Sequence, residues 1–262
     1  MINNKNGGKY DIFYSVKGAP PPSKVALFQG LKGFNLVEIA KHLSKLENRQ
    51  RCGFTLAEVL ITLGIIGVVA AMTLPALIND KQNKELEAGL KQAYSILQNS
   101  YNQMGYDEGQ IINHENYKSW DFINSFKKYF KTRYTCADMK CATIKTNHYR
   151  TYNNKHMEES YLDDGQMQLT NGMFVMIKNP YNGGKLYITI DINGINKRPN
   201  KWGHDLFTFQ VTNNGKLLPM GAKGSDYAPE EYCSDLNNTI YNGIACTYRA
   251  LTEKDYFKNL PK

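Results

Sequence analysis

Between Phe54 and Ile78 the chain has a single charged residue, Glu58, in 25 positions. So little charge excludes a solvated loop or an ordinary surface helix. As a helix the run spans roughly 37 Å at 1.5 Å per residue, enough to cross the roughly 30 Å hydrocarbon core of a bilayer. The chain also lacks the short motifs of catalysis. His114-Glu115 has no second histidine to complete HExxH, and Gly183-Gly184-Lys185 lacks the rest of a phosphate loop. No GxSxG is present, and His148, His156 and His204 show no ligand spacing. Cys136-x4-Cys141 and Cys233-x12-Cys246 do not form the paired CxxC knuckles of a zinc site. Neither an enzyme nor a cofactor is expected from these residues.

Charge is also scarce where a nucleic-acid surface would need it. The net charge is +8, but residues 1–53 hold nine Lys/Arg against three Asp/Glu, and residues 54–262 hold 23 against 21. The basicity therefore sits ahead of the apolar run and does not describe a basic face on the folded part, so nucleic acid is not an expected partner. A positive flank stays cytoplasmic, which predicts a cytoplasmic N-terminus and an extracytoplasmic C-terminal domain. Four of the five cysteines follow the run, as two close pairs. That suits disulfides in an oxidising compartment, with Cys136–Cys141 and Cys233–Cys246 as the simplest pairing. Cys52 lies before the run.

A cleavable secretory signal has a shorter apolar core, about 7–15 residues. Here the run continues past Ala70-Ala71 through Leu74, Leu77 and Ile78. Gly64, Gly67 and Pro75 weaken a soluble helix but are tolerated in a membrane. Gly64 and Gly67 are not a GxxxG pair, so they define no dimer face. Glu58 is the costly residue. A carboxylate at the centre of a membrane helix costs about 2.5–3.5 kcal/mol on insertion scales and less near the interface, and such a group is by default paired and functional.

Gly53-Phe54-Thr55-Leu56-Ala57-Glu58 resembles the class III signal of type IV pilins and type II secretion pseudopilins. The detailed resemblance runs from Cys52 to Ile78. It implies cleavage after Gly53 and N-methylation of Phe54 by the membrane prepilin peptidase/methyltransferase. Pro75 then falls where many members carry a helix-bending proline. The implied partners are other pilin or pseudopilin subunits and an inner-membrane assembly platform. Phe54 and Glu58 stand at i,i+4, a spacing that shares one helix face. In a filament, Glu58 of one subunit can meet the new Phe54 amine of a neighbour, so that two costly charges neutralise each other. The resemblance leaves a secretion pseudopilus and a pilus for adhesion, motility or DNA uptake equally open. The competing class is a signal-anchored binding domain that never polymerises.

Residues 1–53 are read as a cytoplasmic leader, removed on cleavage. Within it, Gly33-Phe34-Asn35-Leu36-Val37-Glu38 repeats the motif, but Lys41 and Lys45 follow too closely for a bilayer. Leu36, Ile39, Leu43 and Leu46 recur at helical spacing. Residues 35–47 are thus either a short amphipathic helix on the inner membrane surface or part of a disordered tail.

After the membrane segment, 54–78, the stripe Leu86, Leu90, Ala93 or Tyr94, Leu97, Tyr101 and Met104 continues the helix over 79–105, with Gly105 as the stop. Residues 106–262 form the globular domain. Its first part, 106–165, reads as polar and irregular, with an amphipathic helix over Trp120–Phe130. Aromatics and lysines over 117–134 leave a DNA contact open beside a solvated helix. Strands are expected over 166–170, 173–178, 185–191, 206–211 and 216–218, the first two joined by a two-residue Asn171-Gly172 turn. The fold class is α+β: a long N-terminal helix packed on a C-terminal antiparallel sheet, the layout of the resembling family. Asp191-x-Asn193-Gly194 and Asp205 offer oxygen ligands that calcium favours, and some major pseudopilins carry a calcium loop. Lys197 and Arg198 oppose a cation there, and Asp and Asn also simply make turns.

Overall fold

The computed structural model describes residues 53–118, 121–136, 148–157, 159–180 and 184–261. The expectations for residues 1–52, for Trp120 and for Cys141 lie outside the described residues. The chain divides into two units, Met1–Leu63 and Gly64–Lys262.

Helix α1 runs over Leu56–Glu108 and contains Pro75. Beyond Ile78 its sequence becomes amphipathic. Leu90, Ala93, Leu97, Tyr101 and Met104 are buried in the core, and Leu86 and Tyr94 pack against it. The opposite face carries Lys81–Glu85 and Asp80–Lys84 ion pairs at 3.5 and 2.7 Å. Such exposed i,i+4 pairs are screened by solvent and contribute little to stability. The helix passes the expected stop at Gly105 and ends at Glu108. Gly109 follows with φ +61°, the left-handed residue that closes a helix without a Cβ clash. Gly105 is instead a helical residue.

The sheet has six strands: β1 Thr132–Cys136, β2 Gln166–Leu169, β3 Phe174–Lys178, β4 Leu186–Asp191, β5 Leu206–Val211 and β6 Leu217–Pro219. Each pairs antiparallel with the next, in the order β1-β2-β3-β4-β5-β6. β1 falls in the stretch read as irregular. The Asn171-Gly172 turn is wider than the two-residue turn expected. Gly172 N–H donates to Leu169 O at 3.0 Å and Leu169 N–H to Met173 O at 2.9 Å. Gly172 has φ +96° while Asn171 is not among the positive-φ residues, so the mirror-image turn, which needs both, is not formed.

Both faces of the sheet are covered. On one face Val175, Ile177, Ile188, Ile190, Phe207 and Phe209 share a core with α1. There the Tyr94 and Phe209 rings stack at 5.5 Å. On the other face Phe174, Met176, Tyr187 and Leu206 meet Tyr149, Met157, Trp202 and Ile244. Every residue of β4 and β5 is consequently buried. Short helix α2, Asp121–Phe126, buries Phe122, Ile123 and Phe126, in place of the longer helix expected over 120–130.

Helices α3, Pro229–Tyr232, and α4, Cys246–Thr252, are stapled by the Cys233–Cys246 disulfide. The ring closes 13 residues of separation, a size for which the chain-entropy argument gives about 3 kcal/mol. Both cysteines are buried, at 2% and 0% exposure. The Cys233→Ser/Cys246→Ser variant is expected to lose about 2–5 kcal/mol of unfolding free energy, read from the urea midpoint. An unchanged midpoint would show that the bond only decorates a fold held by its cores.

Candidate functional site

The site begins with three residues outside the helix. Gly53, Phe54 and Thr55 carry no regular structure, and all three are exposed. The Phe54 side chain is 88% exposed. The Gly53–Phe54 peptide bond therefore lies just ahead of the first helical turn, in backbone that a peptidase can take up in extended form.

Thr55 and Glu58 close the helix start on each other. Thr55 N–H and Thr55 Oγ1–H both donate to Glu58 Oε2 at 2.8 Å. Glu58 N–H donates back to Thr55 Oγ1 at 3.2 Å. This reciprocal Thr-x-x-Glu arrangement is a capping box, which satisfies backbone donors that the first helical turn leaves unpaired. It gives Glu58 a local role that the sequence reading missed, although Thr55-Leu56-Ala57-Glu58 spells it out. It also corrects the expected geometry. Phe54 precedes the helix, so it does not share a helix face with Glu58, whose carboxylate is turned back onto Thr55.

Beyond Glu58 the apolar residues face outward. Leu60, Ile61, Leu63, Ile65, Ile66 and the other large apolar residues through Ile78 are exposed. α1 is long and apolar enough to cross a membrane, and none of its membrane-length window is buried. Soluble chains rarely leave a contiguous apolar surface of this extent open to water. The helix fits a single-pass, membrane-anchored protein.

Asp191, Asn193, Gly194 and Asp205 converge at the end of β4 and the start of β5. Asp191 Oδ1 accepts from Asn193 N–H at 3.2 Å and Gly194 N–H at 2.8 Å. Its Oδ2 accepts the Tyr149 hydroxyl at 2.9 Å. Asp205 Oδ1 and Oδ2 accept from Lys201 N–H and Asn200 N–H, both at 2.8 Å. Gly194 has φ +88°, and a Cβ there would clash with Gly172 O. All four carboxylate oxygens thus already hold donors, the turn-building use of Asp and Asn. Both aspartates are fully buried. Burial first, with the charge on Asp205 second, raises the Asp191 carboxyl. Burial outweighs the backbone donors and raises that of Asp205 as well.

The histidines do not gather. His114 Nδ1 lies 3.0 Å from Asn179 Oδ1, His148 Nε2 lies 2.8 Å from Ile195 O, and His204 is buried. Among the described residues no group of three His, Cys, Asp or Glu is placed to hold a metal. The Cys233–Cys246 pair forms as expected. Cys136 ends β1, and its partner candidate Cys141 lies outside the described residues.

Comparison with known proteins adds one match. Residues 48–74 match the family described as the prokaryotic N-terminal methylation motif. The match takes in Gly53, Phe54 and the capped start of α1, and it is consistent with type IV pilins and pseudopilins. The long apolar N-terminal helix and the C-terminal six-stranded antiparallel sheet make an α+β, pilin-like arrangement. Proteins with this motif are generally structural rather than enzymatic. No curated protein and no solved structure matches the chain.

Proposed function

We propose that this chain is the precursor of a pilin-like filament subunit. Prepilin peptidase cuts it after Gly53 and methylates Phe54, and residues 54–78 then hold it in the bacterial inner membrane. The N-terminus is cytoplasmic before cleavage, and the globular domain is periplasmic or extracellular. Through an inner-membrane assembly platform it joins other pilin or pseudopilin subunits in a type II secretion pseudopilus or a type IV pilus-like filament. One observation carries this reading: the methylation-motif match falls on the exposed Gly53–Phe54 junction, directly ahead of the unburied apolar helix.

The capping box favours a second reading, a signal-anchored domain that never polymerises, because it explains a carboxylate at the helix start without a neighbour. Mass spectrometry of the protein recovered from membranes separates the two. The expected mature chain starts with N-methyl-Phe54 and lacks residues 1–53. An intact N-terminus, or an end generated near Ala70-Ala71, sinks the filament reading.

A further inference from the structure

A cleft of about 640 Å³ opens beside the turn that follows Asp191. His148, Arg150, Asn154, Asn196, Arg198 and Asn200 line it. We propose that this cleft binds a phosphate group.

The cleft carries unmatched positive charge. Arg150 is bridged through its backbone to His156 on one side and to Lys201 on the other. Like charges opposed across such a bridge, as Arg150 and Lys201 are, repel one another. Among the described residues no carboxylate forms an ion pair with Arg150, Arg198, Lys155 or Lys197. Asp191 and Asp205, among the described residues, are both buried with their oxygens occupied by donors of the chain itself. Asp205 acts on Lys201, which leaves the two guanidinium groups as the unmatched cations of the cleft.

The shape and donor types of the cleft also fit an oxyanion. The volume falls within the roughly 300–1,000 Å³ of small-ligand sites. Asn154 and Asn200 have φ of +67° and +54°, the two non-glycine residues with positive φ among those described, and both line this one cleft. Unfavourable backbone conformations of this kind gather at ligand sites. Guanidinium forks bind oxyanions through two parallel hydrogen bonds, and the exposed Asn154 and Asn196 amides supply further donors, while the Asn200 amide nitrogen is already engaged by His148 Nε2 at 3.0 Å and Ile195 O at 3.4 Å. Two guanidinium groups match a dianion. A carboxylate monoanion would leave one of them uncompensated. A nucleic-acid strand needs a basic track along several nucleotides, whereas this charge is confined to a single cleft.

The test is ³¹P NMR titration of the full mature chain in maltoside micelles at constant ionic strength. The probes are inorganic phosphate, glucose 6-phosphate and phosphatidic acid vesicles, with glucose and a single-stranded oligonucleotide alongside. Saturable binding of inorganic phosphate is expected, with a loss of tenfold or more in Arg150→Gln and Arg198→Gln and none in Lys223→Gln. Binding of glucose 6-phosphate alone supports the proposal with a phosphorylated saccharide as the source of the group, and binding of the vesicles alone supports it with a lipid headgroup. The proposal is overturned if no phosphate probe saturates. It is also overturned if the two variants, folded by circular dichroism, bind like the parent, or if only the oligonucleotide binds.

Discussion

Glu58→Val is expected to remove filament assembly while leaving membrane insertion intact. Insertion depends on apolar length, which valine extends. Assembly, in the reading proposed here, brings the Phe54 ammonium of one subunit into an apolar bundle where the Glu58 carboxylate of another neutralises it. Removing one partner of a buried pair costs about 3–5 kcal/mol, on the order of 10²–10³-fold in subunit association. The capping box adds a control. Glu58→Gln retains an oxygen that can accept from Thr55 N–H, as Glu58 Oε2 does now, but carries no charge. If Glu58 only caps the helix, the glutamine variant assembles like the parent. If the charge pair directs assembly, both variants fail alike. Immunoblots of sheared filaments against membranes read the difference.

The second large effect lies in the buried aspartates. Asp205→Ala strands the Asn200 and Lys201 N–H groups that now donate to the carboxylate. An unsatisfied buried donor such as Asn200 N–H costs about 1–3 kcal/mol and the part-buried Lys201 N–H costs less, so a loss of about 2–4 kcal/mol is expected. The pair also makes stability depend on pH. Burial pushes the Asp205 carboxyl up to about 6, and burial with the charge on Asp205 pushes that of Asp191 up to about 8, whereas unfolded aspartates titrate at ~3.9. The folded chain therefore keeps protons that the unfolded chain releases. The pair's contribution is complete below about pH 4 and is lost as pH rises through the folded values. Buried His204, lowered to about 4, acts in the opposite sense. Its contribution is present above its unfolded value of ~6.5 and is lost as pH falls through the folded one. Comparison of the parent with Asp205→Asn isolates the pair, because both proteins contain His204. The parent's melting temperature is expected to fall more steeply than the variant's between about pH 5 and 8. Parallel profiles would show that these carboxyls do not titrate in that window.

Much of this molecule could be read from residue pattern, because α1 repeats its apolar residues at the helical period, β2, β4 and β5 alternate, and β3 and β6 are apolar runs beside the Asn171-Gly172 and Asn213-Asn214-Gly215 turn signals. Leu90, Leu97 and Met104 mark the buried stripe of α1, and the Cys233–Cys246 spacing marks a loop that can close. What escaped has no period. β1 is the edge strand Thr132-Arg133-Tyr134-Thr135-Cys136, with neither alternation nor a turn signal. The second core is assembled from single residues in irregular segments, such as Tyr149, Trp202 and Ile244. Their burial depends on tertiary placement, which no local window contains. At the helix terminus Gly105 and Gly109 are equally plausible stops by residue type, and only Gly109 adopts the left-handed backbone. At the functional site, the membrane run hid the Thr55–Glu58 cap. A lone carboxylate in an apolar stretch points to a distant partner, although a nearer one stood three residues away.

With neither side of β4 or β5 open to water, mutational drift along those strands disturbs one packing layer or the other at every step. Diversification of what this protein can touch is accordingly left to its connecting segments.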